Sequence, residues 1–204
     1  MALVLMAFFH YRFVLFFYYG ASLSVVDDWL GNLARFLFLF MFGLNFRFYE
    51  YKPTAYFVKR IMKLILAASL VSLATFIVVP DYYVVFGVLH FFILCTLILK
   101  ILPKFFHVLL FASSIFVWGF GNIQTTHNWF LPLGFSSADF NSIDYFPILP
   151  FFGYVYVGYM AYDFILDKLP KLKKNTVISI IASHSMMFYL LHVPVILGCL
   201  YMLK

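Results

Sequence analysis

Seven apolar runs alternate with short polar connections along the chain. They are Ala2–Tyr19, Gly31–Tyr49, Ile61–Val79, Tyr82–Leu102, Phe105–Phe120, Ile148–Leu166 and Thr176–Met202. A bilayer core of roughly 30 Å takes about 20 mostly apolar residues per helix. Each run therefore predicts a transmembrane helix. Together they predict an all-α polytopic bundle of about seven membrane helices in a single domain, residues 1–204. Punctuation sets the boundaries. Asp27 and Asp28 sit in the connection Gly20–Leu30, Pro53 breaks the chain after the second run, and Pro80-Asp81 makes a tight turn. Lys100, Pro103 and Lys104 bracket the next turn, and Gly121–Pro147 is the one long polar loop. No internal repeat relates the two halves.

Composition agrees with this pattern. The chain is 65% hydrophobic and 11% charged, whereas soluble domains run about 45–50% apolar and about 25% charged. The 29 Phe and 15 Tyr suit lipid-facing and interfacial positions, and nothing spaces them as a base-stacking platform, so no nucleic-acid partner is expected. Cys95 and Cys199 both fall inside apolar runs and are expected to be buried thiols rather than a disulfide. The first run has no charged segment before it and no small-residue cleavage site, unlike a signal peptide.

The net charge of +6 is distributed by side. Connections after the second, fourth and sixth runs carry Lys52, Lys59, Arg60, Lys63, Lys100, Lys104, Lys168, Lys171, Lys173 and Lys174. Those after the first, third and fifth carry Asp27, Asp28, Asp81, Asp139 and Asp144 and no Lys or Arg. Basic residues accumulate on the cytoplasmic side. The N-terminus is thus expected inside, and the C-terminus and the long loop outside.

Ionisable groups inside a bilayer are costly, at about 2.5–3.5 kcal/mol on insertion scales, and usually face the bundle interior. At 1.5 Å per residue, His10 lies about 14 Å from the outer end of its run, His90 about 12 Å and His192 about 15 Å. Three histidines on three helices are thus expected in one layer. Arg12 lies near His10, and Arg35 near the outer end of the second run. Any one of these histidines could equally be a hydrogen-bond partner between helices. Three of them could ligate a metal, but no HxxxH pairing accompanies them and no metal is expected. His107, beside Lys104, is expected at the interface, His184 on the inner half of the last run and His127 in the outer loop. Asp163 could pair with a basic loop residue.

A neutral imidazole can act as nucleophile, general base or proton relay. Acyl transfer is one chemistry open to a membrane His, with Tyr189, three residues before His192, placed to orient its ring. Cytoplasmic Lys59, Arg60 and Lys104 could hold the phosphates of a coenzyme A donor, or could serve only to set topology.

The most conspicuous stretch is Asp144–Gly158, DYFPILPFFGYVYVG, an acidic residue, two prolines and an apolar run punctuated by Gly153 and Gly158. Together with Met6–His10 (MAFFH), Phe36–Gly43, Phe86–His90 (FGVLH) and Ser183–Pro194 (SHSMMFYLLHVP), in that order, it resembles the heparan-alpha-glucosaminide N-acetyltransferase catalytic-domain-like family of prokaryotic membrane proteins, part of a wider membrane acyltransferase group. The resemblance covers nearly the whole chain.

It implies an integral protein of a prokaryotic plasma membrane. Such a protein moves an acetyl or other acyl group from cytosolic acyl-CoA to a sugar-like or other acceptor at the outer face. His10, His90 and His192 match the family's histidine positions and are the expected catalytic residues. Asp144, Tyr145 and Arg12 are expected to bind the acceptor, and Lys59, Arg60 and Lys104 the acyl-CoA. The bilayer, acyl-CoA and an acceptor are the expected partners, and an oligomer is compatible with the pattern.

The chain also departs from the family. It starts inside the region where the family carries an Asp-x-x-Arg-Gly element, so either a truncated or a mis-started chain is expected. Val14 stands where an Asp is common. Ala182-Ser183-His184-Ser185 replaces Gly-Arg-His-Ser, and His192-Val193-Pro194 replaces His-Gln-Pro. A proton-coupled transporter or flippase-like protein using the same histidines, and a non-catalytic membrane subunit, remain the alternatives.

Overall fold

The computed structural model describes residues 2–120, 125, 127–166 and 184–202. Lys168, Lys171, Lys173 and Lys174, and the expected start of the last run at Thr176, lie outside the described residues. Within them the architecture is all-α: α1 (Ala2–Tyr19), α2 (Val25–Tyr49), α3 (Thr54–Val78), α4 (Val88–Ile101), α5 (Lys104–Phe120), α6 (Ile148–Leu166) and α7 (Ser185–Met202). Short 3₁₀ segments cover Pro80–Tyr82 and Asn128–Leu133. Helices α1, α2, α3, α6 and α7 are long and apolar enough to cross a membrane, whereas α4 and α5 are shorter apolar helices.

Three boundaries differ from those expected, each for a local reason. Helix α2 starts six residues before Gly31, taking Asp27 and Asp28 into its first turn. Ser24 and Asp27 cap it reciprocally. The Asp27 carboxylate accepts the Ser24 backbone N–H at 2.8 Å, and Ser24 Oγ accepts the Asp27 N–H at 3.3 Å. This S-x-x-D box satisfies donors that the helix start would otherwise leave bare. Helix α3 starts directly after Pro53, so Lys59 and Arg60 lie on a helix rather than in a loop. The fourth run is helical only from Val88. Its first part is held outside the helix because Tyr82 O accepts the Ile143 N–H and Phe86 O accepts the Phe146 N–H, both at 2.9 Å.

The chain divides into two compact units, Met1–Leu39 with Asp163–Lys204, and Phe40–Tyr162. In the first, α1 packs against α7. Gly31 accommodates the Phe9 ring where a Cβ would sit 2.6 Å from it, and Phe38 stacks on Tyr189 with centroids 6.1 Å apart. Among its described residues the buried side chains are few: Met6, Val14, Ala34, Leu39 and Asp27. No residue of α7 is buried as a whole, and Cys199 is exposed there, contrary to expectation. It lies on an outward face of a helix that touches its neighbours along one side.

The second unit has a dense aromatic core. Phe46, Phe91 and Phe152 are fully buried, and Phe42 stacks on Phe92 at 4.1 Å. Its α2 residues and α6 cross at backbone contact. A Cβ on Gly43 would run into the Val155 carbonyl oxygen, and one on Gly158 into the Phe40 carbonyl oxygen. Each helix thus places a glycine against the other's backbone, the small-residue packing that brings membrane helices close. Hydroxyls in this core close onto their own helices: Thr96 donates to Phe92 O at 2.7 Å and Ser114 to Leu110 O at 2.8 Å. That leaves no polar atom of theirs bare in an apolar setting.

Candidate functional site

His10 lies midway along α1 and His192 midway along α7. The packing of these helices brings the two rings edge to face, with centroids 4.7 Å apart and planes at 85°. Each ring is anchored on its own helix. His10 Nδ1 bonds Met6 O at 2.8 Å, and His192 Nδ1 bonds Tyr189 O. A backbone carbonyl can only accept, so in both rings Nδ1 carries the proton and a neutral ring has its lone pair on Nε2. Nε2 of His192 is buried and has no hydrogen-bond partner among the described residues. Tyr189 also lies beside the ring, 5.6 Å between centroids. Its part in fixing the ring thus comes through its carbonyl as well as its own ring.

Close to this pair, Arg12 is engaged. Its guanidinium donates to both oxygens of Asp27 at 3.1 Å and to the Ser22 carbonyl at 3.1 Å. The ion pair ties α1 to the first turn of α2, where a carboxylate also complements the helix dipole. Arg12 therefore reaches the capping box described above.

His90 belongs to the other unit. It is the third residue of α4, not two turns down a longer helix, so a depth counted by helical rise does not apply to it. Its Nδ1 accepts the Gly87 N–H at 3.3 Å. Asp144 Oδ2 accepts the Val88 N–H at 3.1 Å. Ser142 Oγ donates to Tyr83 O at 3.0 Å. The FGVLH and DYFP segments, far apart in sequence, thus form one hydrogen-bonded assembly. Tyr145 donates to Leu131 O at 2.7 Å, and its phenol is pushed up to about 12 by burial. Pro147 is buried and the Leu149–Pro150 peptide is cis.

Of the basic residues, Lys59 and Lys104 are exposed on the starts of α3 and α5. Arg60 lies over the Phe42 ring at 5.2 Å. Two further groups carry no obvious sequence signal. His107, in the first turn of α5, is buried, at 3% exposure. Its Nε2 bonds Ile98 O at 3.1 Å, and its Nδ1 has no partner among the described residues. At the end of α2, Arg47 pairs with Glu50, Tyr159 donates to Glu50 Oε1 at 3.0 Å, and Lys100 donates to Glu50 O at 3.0 Å. The i, i+3 spacing of Arg47 and Glu50 is visible in sequence; their convergence with Tyr159 from α6 is not. No group of three or more His, Cys, Asp or Glu among the described residues could hold a metal ion.

The unit formed around α1 and α7 offers two imidazole rings edge to face, an arrangement suited to nucleophilic or base catalysis. A search of curated proteins and of solved structures finds no match to the chain. A family profile described as heparan-alpha-glucosaminide N-acetyltransferase, catalytic, matches residues 1–194. With that match spanning His10, His90 and the first ten residues of α7, His192 among them, the chain is an integral membrane protein that belongs to the heparan-alpha-glucosaminide N-acetyltransferase catalytic family.

Proposed function

We infer that the protein transfers an acetyl or other acyl group from cytosolic acyl-CoA to a sugar-like acceptor at the outer face of the membrane, with His10 and His192 as the reacting pair. The observation that carries this reading is the ring pair itself. Both Nδ1–H groups are committed to backbone carbonyls, which leaves Nε2 as the basic nitrogen of each ring. One Nε2 attacks the thioester carbonyl carbon; a C–N bond forms, the C–S bond breaks, and the thiolate leaves and is protonated from water. The acceptor hydroxyl or amine then attacks the acyl-imidazole carbon. The C–N bond breaks, and the acceptor's proton passes to the Nε2 of the other ring.

The distribution of charge supports the direction of transfer. Lys and Arg cluster in alternate connections and Asp in the others, which favours a cytosolic N-terminus. Lys59, Arg60 and Lys104 would then face the coenzyme A phosphates, and Asp144, Tyr145 and Arg12 the acceptor side.

The test is label retention by purified protein in detergent given radiolabelled acetyl-CoA. Label is expected on the wild type and absent from whichever of His10→Ala and His192→Ala removes the nucleophilic ring, while the other variant keeps its label and fails to pass it to an acceptor. A wild type that takes label from no acyl-CoA, tested across chain lengths, would overturn the reading.

A further inference from the structure

The geometry points to Asp144 as a positioning residue that holds His90 as the Nε2–H tautomer, a hydrogen-bond donor and not a base. A helix start leaves backbone N–H groups without partners. A capping box serves two of them, one through the N-cap side chain and one through the residue at the third helical position reaching back. Here the N-cap is Gly87, which has no side chain. His90 performs the second half, its Nδ1 accepting the Gly87 N–H at 3.3 Å. The first half comes from another segment: Asp144 Oδ2 accepts the Val88 N–H at 3.1 Å.

Glycine at position 87 is part of the device. A Cβ there would run into Asp144 Oδ2 and lie 2.7 Å from Val84. The carboxylate thus occupies the space a side chain at residue 87 would need. It is held there from behind by the pairing of residues 142–146 with 82–86, through Ile143 N–H to Tyr82 O and Phe146 N–H to Phe86 O.

The tautomer follows from the sense of the bonds. A backbone N–H only donates, so the ring nitrogen it meets must be bare. A neutral imidazole with bare Nδ1 carries its proton on Nε2. His10 and His192 meet carbonyls and hold the opposite tautomer. The chain therefore sets its histidines to two chemistries, bare Nε2 on α1 and α7 and Nε2–H on α4. The natural use of the latter is to donate to a carbonyl or hydroxyl oxygen of a ligand. That use rests on the acyltransferase reading; the tautomer does not.

The two are separated by a measurement that needs no turnover. Histidine-¹⁵N-labelled full-length protein in lipid nanodiscs is examined by long-range ¹H–¹⁵N correlation, with the His90 signal assigned by its loss in His90→Gln. His90 is expected to show a protonated Nε2 and a bare Nδ1. Asp144→Asn keeps an oxygen acceptor for Val88 and is expected to retain that pattern. Asp144→Ala is expected to convert it to an exchange-averaged mixture. Gly87→Ala displaces the end of the Asp144 side chain and is expected to do the same, which covers the case in which Asp144→Ala does not fold. A wild-type His90 protonated on Nδ1 overturns the proposal, and so does a pattern unchanged in the variants that remove or displace the carboxylate. Failure of the acetyl-CoA labelling test leaves this spectrum as it is.

Discussion

The histidine pair of α1 and α7 and the Asp144–His90 assembly hold polar groups in opposite ways. His10 and His192 are each fastened to a carbonyl of their own helix. Asp144, Ser142 and Tyr145 bond to segments elsewhere in the chain, at Val88, Tyr83 and Leu131. The packing differs in the same sense. Residues 40–162 contain fully buried Phe46, Phe91 and Phe152, while α7 buries no residue. Reactive groups commonly sit on the less densely packed elements of a molecule, since binding and release require movement there. Substitution on α1 or α7 should therefore reach chemistry before stability, and substitution in the denser unit should do the reverse.

The largest expected effect tests the first half of that contrast. His192→Ala and His10→Ala are each expected to lower acyl transfer by at least about 10²–10⁴-fold, the usual worth of a positioned general acid or base. Helical circular dichroism and the thermal midpoint in detergent should be close to wild type. His107→Ala is the counterpart in the denser unit: a buried ring is lost and the midpoint falls, because a cavity of ring size opens among Tyr156 and Tyr159. Equal falls in midpoint for all three histidines would break the comparison.

The second effect is on stability alone. Gly158→Leu places a branched side chain against the Phe40 carbonyl, and Gly43→Leu one against Val155. Both neighbours are backbone and cannot step aside. Overpacking of this kind costs typically about 1–3 kcal/mol, read as a lowered thermal midpoint or loss of folded protein. Gly198→Ala is the control, since nothing lies within 4 Å of the added Cβ; it should be neutral.

These glycines show how much of the fold the sequence discloses. Apolar runs made the all-α membrane architecture legible, because every backbone polar group in lipid must be satisfied within a helix. Gly153 and Gly158 stood out in a motif, but their partners did not, since a close crossing depends on which helix lies opposite. The S-x-x-D spacing of Ser24 and Asp27 was passed over among the polar residues of a connection, and hydropathy alone places the helix start six residues late. The first part of the fourth run reads as helix by composition, yet hydrogen bonds to residues 143 and 146 hold it outside the helix. Long-range pairing of that sort leaves no periodic trace. At the site, His10 and His192 were named on separate helices by position. That their rings meet, and which nitrogen each commits, depends on α1 and α7 packing together.

A third, smaller effect lies at the junction of α1 and α2. Asp27→Ala removes both the reciprocal cap with Ser24 and the bidentate pair with Arg12. The midpoint is expected to fall by less than in Gly158→Leu, because Arg12 is half-exposed and solvent screens its pairing. Asp27→Asn should recover part of the loss, since the amide oxygen still accepts the Ser24 N–H. No recovery would mean that the ion pair with Arg12, and not the cap, holds the start of α2.

The smallest effect is a pH dependence in the loop before α6. Tyr145 donates to Leu131 O at 2.7 Å, and burial pushes its phenol up to about 12. In an unfolded chain a tyrosine titrates near 10, so between about 10 and 12 the folded state binds the proton more tightly. The stabilisation is fully present below about pH 10 and is lost as pH rises through about 12. Tyr145→Phe removes the hydrogen bond, worth about 0.5–1.5 kcal/mol, and should lower the midpoint slightly at pH 8. Above pH 10 the gap between variant and wild type should narrow, because ionisation of Tyr145 stabilises the unfolded wild type there, while the folded state holds its proton and its bond until about 12. Phenolate absorbance, compared between wild type and Tyr145→Phe, reports that titration directly. A missing tyrosine that titrates near pH 10 would place Tyr145 in water, and the loop would then be held by its backbone pairing with residues 82–86 and not by this hydroxyl.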